Sequence, residues 1–331
     1  MGDKKSQFSV SVIIPMLNAE TTVLLTLDSV FNQVYPIEEI IIVDNGSSDS
    51  SVEIVRKFIA KNKKIPVQLL INKSNRGVGG SYNRGVKKAK SVYIVLMHSD
   101  STLRTKNELS KLVKPYFSNT NVVATYSSIV LPHKVWNTYN FWQRVLSSKA
   151  VDRKMAGLNT KFDCINKKAF ISIGGFDAKN YGHHIGVGSE DAAMHFALRT
   201  KGEVIKSDAV VVHLHYLGSN FSLQQLFQTK KLLARSYGRL IRIEMGKLGF
   251  GLFLLLAKPV VFLFFLLGFL SFYFFIPVIL YVLLNDWTMY SQKKSYSDIR
   301  ILILPLITFF LIFLESYWTV ESFLFLKRRP V

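Results

Sequence analysis

The sequence predicts an α/β protein whose mostly parallel sheet is covered by helices on both faces and is followed by an apolar C-terminal region. Three observations carry this. Short apolar runs at 10–15, 39–44, 67–72 and 91–98 alternate with amphipathic stretches at 21–32, 51–62 and 80–90, the strand–helix alternation of a parallel sheet. Each apolar run ends in polar side chains able to bind a ligand. Beyond residue 248 the chain turns apolar: Lys258 is the only charge from 248 to 284, and 301–314 has none.

The strand ends come first. The residues just past the four runs are Asn18 and Glu20, then Asp44 and Asn45, then Asn75 and Arg76, then His98 and Asp100. Any one such end could be a turn or a helix cap, and Ser47, Ser48 or Asp49 could cap a helix starting near 51. Four in succession favour a shared ligand site, because parallel sheets bind ligands beyond the carboxyl ends of their strands.

Composition narrows the class. The 331 residues carry 42 Lys+Arg against 22 Asp+Glu, a net charge of +20, and 49% are hydrophobic. A soluble nucleic-acid binder would explain the charge but not the apolar excess, so no nucleic-acid partner is expected. A basic protein seated on an anionic membrane explains both. The single cysteine, Cys164, excludes an internal disulfide.

A membrane-spanning helix needs about 20 apolar residues, and two spans are expected, near 259–284 and 300–326. A three-segment reading stays open, since Lys258-Pro259 breaks the first block and Pro277 kinks it. Basic residues precede the first span and follow the second, so two spans put both groups on the cytoplasmic side; Lys293, Lys294 and Arg300 between them count against this. The first ten residues hold no apolar signal core. The front of the chain is therefore expected in the cytoplasm, attached to a multi-pass anchor in the cell membrane. Between the two regions, 221–248 places Leu223, Leu226, Phe227, Leu233, Tyr237 and Leu240 near helical spacing, with Lys231, Arg235, Arg239 and Arg242 on another face. Such a helix lies in a membrane interface or packs on the preceding domain. The expected division is 1–220, 221–248 and 249–331.

The segments "VSVIIPMLNAETTVLLTLDSVFNQVYP" and "IIIVDNGSSDSS", then "NRGVGGSYNRGV", "VYIVLMHSDS" and "GGFDAKNYGHHIGVGSEDAAMHFALR", together resemble the inverting family-2 glycosyltransferases, over about 8–220. The resemblance implies the GT-A nucleotide-sugar fold and transfer of a sugar from a UDP-, GDP- or dTDP-sugar, with Mg²⁺ or Mn²⁺. It implies that Asp44 contacts the base or ribose, with Pro15, Asn18, Glu20, Asn45, Asn75, Arg76, Asn83 and Ser99 in the same nucleotide-sugar pocket. The family's usual Asp-x-Asp strand end reads His98-Ser99-Asp100 here. Asp100 is then the main metal ligand. His98 contacts the metal, the nucleotide or neither, and an imidazole suits manganese better than magnesium. In "HLHYLG" His213 and His215 point the same way along a strand, and His215 fits the family's metal-approaching histidine better.

Asp191 is implied as general base, with Glu190 supporting it. The residue-level alternative is two acids stabilising a helix N-terminus at 191–201. The glycine-rich 182–188 reads as a lid. The glycines of "NRGVGG" do not complete G-x-G-x-x-G, because Tyr82 holds the last place, and no Walker motif follows. A membrane-held enzyme points to a lipid-linked or membrane-associated glycan whose hydroxyl needs a base. A polyprenyl-phosphate acceptor, already ionised, would need none, and a non-catalytic nucleotide-sugar binder is the third reading.

Overall fold

The computed structural model describes residues 9–177, 181, 189–214 and 220–325. These fall into two compact units: one takes in the described residues of 1–132, 152–183 and 190–218, the other those of 133–151, 184–189 and 219–331.

The first unit is built on one sheet. Its strands are β1 (Val10–Met16), β2 (Ile37–Asp44), β3 (Val67–Ile71), β4 (Tyr93–Met97), β5 (Ser101–Leu103), β6 (Val122–Val130), β7 (Met155–Ala156), β8 (Phe162–Asn166) and β9 (Glu203–His213). They lie in the order β3-β2-β1-β4-β8-β6-β9-β5, with β7 on β6. The four strands anticipated from the apolar runs form a parallel run, β3-β2-β1-β4, and β6 and β9 also pair parallel. The sheet becomes mixed where β8 joins β4 antiparallel.

Helices α1 (Val23–Phe31), α2 (Ser51–Lys61), α3 (Gly77–Lys88) and α4 (Glu108–Val113) belong to the same unit, with α5 (Glu190–Arg199) after them. Strand alternation explains the two cores. Val12, Ile14, Ile40, Ile42, Val95 and Met97 face one side, where Val23, Leu27 and Val30 of α1 and Val55 and Phe58 of α2 cover them. Their neighbours Ile13, Ile41, Val43, Ile94 and Leu96 face the other, under Tyr82 and Val86 of α3 and Met194 and Leu198 of α5. Central strands buried on both faces read as unbroken apolar runs for this reason.

Gly85 sets how close α3 comes to the sheet, since a Cβ there would meet Ile13 Cγ2. An exposed helical Gly→Ala change gains up to about 1 kcal/mol of propensity. Here overpacking costs about 1–3 kcal/mol, so Gly85→Ala is expected to lower Tm, by roughly 2–4 °C per kcal/mol of net loss. A raised Tm in thermal unfolding would show that α3 is not held this tightly.

The second unit contains α6 (Leu223–Glu244), α7 (Gly251–Leu267), α8 (Phe275–Asn285) and α9 (Leu304–Phe325). Ser222 and Gln225 form a capping box that starts α6. α6 packs along α9. Arg235 grips Glu321 with two hydrogen bonds of 3.0 and 2.7 Å, Ser322 Oγ donates to the Arg235 carbonyl at 2.6 Å, and Gly238 leaves no room for a Cβ against the Thr319 carbonyl. The polar and small residues of α9 (Thr308, Glu315, Ser316, Thr319, Ser322) are thus buried, while Leu306, Phe310, Phe313, Tyr317 and Leu324 are exposed.

The block expected as one helix over 259–284 is two helices. α7 ends at Gly268, where any Cβ would collide with the Phe275 ring, and Pro277 sits in the first turn of α8, where its missing N–H is not needed. Lys258-Pro259, expected as a break, lies inside α7. Among the described residues, α9 is the one helix long and apolar enough to cross a membrane; α7 and α8 are shorter.

Candidate functional site

Two loops beyond the carboxyl ends of β1 and β2 are stitched together. Asn18, in the left-handed region at φ 49°, accepts from the Ser48 backbone N–H at 2.9 Å, and its own N–H donates to Ser47 Oγ at 2.9 Å. Glu20 Oε2 accepts from Ser50 N–H at 3.0 Å. Asp44 is buried, and its carboxylate accepts from the backbone N–H groups of Gly46 (3.1 Å) and Ser47 (3.3 Å). Asp44 therefore holds its own turn. Asn45 links outward: its amide donates to Asn75 Oδ1 at 2.6 Å, and its carbonyl oxygen accepts from the Arg76 N–H at 2.9 Å and from Asn72 Nδ2 at 3.0 Å.

The other expected residues are used differently. Asn83 is clamped to Phe176, donating to its carbonyl and accepting from its N–H, both at 2.9 Å. Pro15 is buried in β1 opposite Val43. The Ser99 carbonyl accepts from Thr26 Oγ1 at 2.8 Å. His215 and the 182–188 loop lie outside the described residues.

Beyond β4 the chemistry gathers. β5 pairs with β9 so that Ser101 faces His213, which carries the His213 imidazole to Asp100. His213 Nε2 lies 3.1 Å from Asp100 Oδ2, and His98 Nδ1 lies 3.7 Å from Asp100 Oδ1. The ligand atoms of His98, Asp100 and His213 all lie within 4.8 Å of one another. Two imidazoles and a carboxylate at that spacing can hold a divalent cation.

Thr160 joins this cluster to Asp191. Its hydroxyl is 3.0 Å from His98 Nε2, 2.7 Å from the Asn159 carbonyl and 3.5 Å from Asp191 Oδ1. With Asp191 ionised the last two oxygens only accept, so the hydroxyl proton goes to one of them and His98 Nε2–H donates to Thr160. That tautomer turns the lone pair of Nδ1 toward Asp100, the orientation a metal-binding imidazole needs. Thr160 is β-branched yet sits at φ 62°, a costly conformation for such a residue. It is held there by Asp163, which accepts its N–H at 2.5 Å, and by the buried Tyr82, whose hydroxyl donates to its carbonyl at 2.9 Å. Burial pushes the Asp191 carboxyl above the usual carboxylate range, against the nearby Lys161 and the Thr160 hydrogen bond. Glu190, beside it at the start of α5, is also buried.

Residues 11–175 match the family model described as Glycosyl transferase family 2. The chain carries a family 2 glycosyltransferase domain. An uncharacterized glycosyltransferase of Haemophilus influenzae is 37% identical over 91 residues, which is 28% of this chain and 36% of that protein. The matches span 16% and 13% of two further curated relatives, so each relative is much longer than the shared segment. Two solved structures share the fold. Mannosyltransferase PcManGT from Pyrobaculum calidifontis, in complex with GDP-Man and Mn²⁺, has a TM-score of 0.58 at 16% identity, covering 96% of this chain and 88% of that one. GalNAc-T7 with UDP, GalNAc and Mn²⁺ has a TM-score of 0.52 at 16% identity, covering 77% and 51%.

The sequence singles out His98, Asp100 and Asp191 and places His215 above His213, and it gives no role to Thr160, Asp163 or Tyr82. In the sequence Tyr82 stands out only as the residue that breaks a glycine motif. Nothing in the spacing marks Thr160.

Asp163 supplies a test of this arrangement. It is fully buried on β8, and burial raises its carboxyl from 3.8 to about 7. A carboxyl whose folded value is raised contributes stability that is complete below the unfolded value and lost as pH rises through about 7. Between pH 5 and 8 that loss is at most about 3 kcal/mol. Asp163→Asn keeps an acceptor for the Asn159 and Thr160 N–H groups, and should flatten the fall in Tm from pH 5 to 8. An unchanged pH dependence would mean that Asp163 is ionised throughout.

Proposed function

We propose that this chain is a membrane-anchored inverting glycosyltransferase. It moves a sugar from a UDP-, GDP- or dTDP-sugar to a hydroxyl of a lipid-linked or membrane-associated glycan. The observation that carries the reading is Asp191, a buried carboxyl of raised proton affinity within 3.5 Å of the Thr160 hydroxyl that also touches His98. A carboxylate of raised proton affinity suits removal of a hydroxyl proton.

Asp191 takes the acceptor's proton, and Glu190 holds the acceptor's neighbouring hydroxyls. Asp44, which also keeps the 44–47 turn in shape, contacts the base or ribose, and Asn18, Glu20, Asn45, Asn75 and Arg76 line the nucleotide pocket with Pro15, Asn83 and Ser99. Arg76, which is exposed, can stack on the base or pair with phosphate. His98, Asp100 and His213 would hold Mn²⁺ in preference to Mg²⁺, since imidazole ligands favour the softer ion; His215 is the further ligand expected from the sequence. A cation there would offset the charge of the departing nucleoside diphosphate. The GDP-Man and Mn²⁺ of PcManGT and the UDP and Mn²⁺ of GalNAc-T7 are ligands of this class.

The membrane reading rests on the exposed apolar residues of the second unit, among them Phe253, Leu254, Leu263, Phe310 and Phe313. So large an exposed apolar surface is typical of lipid contact rather than of a soluble face. The basic residues flanking these helices put the family 2 domain on the cytoplasmic side, in a multi-pass cell-membrane protein.

The test supplies membranes containing the protein with labelled nucleotide sugars and Mn²⁺ or Mg²⁺. Label is expected in chloroform-extractable material from one donor. Product labile to mild acid would identify a sugar phosphodiester, and so a polyprenyl-phosphate acceptor. Nucleotide-sugar binding without turnover for any donor would replace the enzyme reading with a non-catalytic binder.

A further inference from the structure

Lys258 and Glu315 are isolated charges in apolar helices. Lys258 is the only charged residue of α7, and Glu315 stands near the middle of α9. The two are ion-paired, and Lys230 of α6 reaches the same carboxylate at 3.8 Å. Asp286, next after α8, is buried and accepts from the Thr308 hydroxyl and from Asn285 Nδ2. Lys149 lines the same pocket, whose wall includes Leu311 and Ile312.

An ion pair between apolar helices does not explain the whole cluster. Such a pair gains little over well-packed apolar side chains, because removing both charges from water costs about as much as their attraction returns. Ionisable groups among apolar helices instead mark binding sites. The lining is also uneven in residue type: three lysines against two acids, 3 − 2. We propose that Lys149, Lys230 and Lys258 form a phosphate site that holds the headgroup of a phosphorylated lipid. Lysine is a compact cation with rotatable donors suited to phosphate oxygens. A phosphate ester carries between about one and two negative charges near neutral pH, which the excess of lysines attracts, and the Leu311–Ile312 wall suits the first carbons of its chain. The lipid assignment rests on reading α7 to α9 as membrane helices. It adds to the proposed acceptor class the group by which the protein grips it.

The experiment measures binding without transfer, so it is independent of catalysis. Full-length protein in phosphate-free maltoside micelles is titrated with labelled farnesyl phosphate, with farnesol, and with inorganic phosphate as competitor. Nucleotide-sugar binding in the same samples reports on the family 2 domain. Farnesyl phosphate is expected to bind at least about tenfold tighter than farnesol, and Lys149→Gln to erase about tenfold of that, as for one charge-assisted contact. Lys149 is exposed, so the variant should fold. The single change Lys258→Met removes a cation while Lys230 still pairs with Glu315, and should weaken binding similarly. Equal binding of farnesol and farnesyl phosphate, or full affinity in both variants, would overturn the proposal. Displacement by inorganic phosphate at equal concentration would overturn its lipid part. Transfer activity without farnesyl phosphate binding would overturn this site and leave the proposed function standing; binding without transfer would do the reverse.

Discussion

Asp191→Asn is expected to lower kcat for sugar transfer by about 10²–10⁴-fold, the contribution of a positioned general base, while nucleotide-sugar affinity stays near the wild-type value. The asparagine keeps the shape and the contact with Thr160 but cannot take a proton. Because burial raises the Asp191 carboxyl, wild-type transfer should rise with pH through a value above the usual carboxylate range. The variant's residual activity should lack that limb. The sign follows from the role: a base works only when deprotonated, and a raised proton affinity moves its loss of function toward neutrality. A folded, nucleotide-binding Asp191→Asn protein that transfers at the wild-type rate would place the base elsewhere, or point to an acceptor that needs none.

Asp100→Asn should act on the metal. Asp100 contributes the one carboxylate of the His98–Asp100–His213 cluster, and its removal leaves two neutral imidazoles. The Mn²⁺ concentration for half-maximal nucleotide-sugar binding should rise by at least about 10–100-fold, since disturbing even the groups that support a metal ligand has that effect. His213→Gln should follow the same direction. Thr160→Val, which takes away the acceptor for His98 Nε2–H, should shift the metal dependence less and leave Asp100 in place. Metal titrations that superimpose for wild type and Asp100→Asn would remove the cation from this cluster.

The opening segments show how much of the site is legible in a sequence. "EIIIVDNGSS" signals both a buried strand and a polar end, and the structure has both. The Asp44 carboxylate also serves its own turn, a partner the pattern alone does not announce. Asn83 shows the same limit: its place in "NRGVGGSYNRGV" suggests a pocket, and only the fold shows that its amide also meets the Phe176 backbone. A polar residue after a strand announces only that a polar partner exists. Whether that partner is backbone, side chain or ligand depends on the neighbouring loop.

The sequence by itself determined the parallel β3-β2-β1-β4 half of the sheet with its covering helices, the polar ends of those strands and the apolar tail. Those are local properties: side-chain periods of 2 and 3.6 and the composition of short windows carry them without reference to the rest of the chain. Only the tertiary structure decided which polar groups meet. His213 reaches Asp100 across 113 residues because β5 and β9 pair in one register. Thr160 bridges His98 and Asp191 because a strained turn before β8 is held by Asp163 and Tyr82. Lys258 finds Glu315 across 57 residues because α7 packs on α9. Such contacts follow from sheet register and helix packing, which are settled by the whole folded chain, and no linear spacing encodes them.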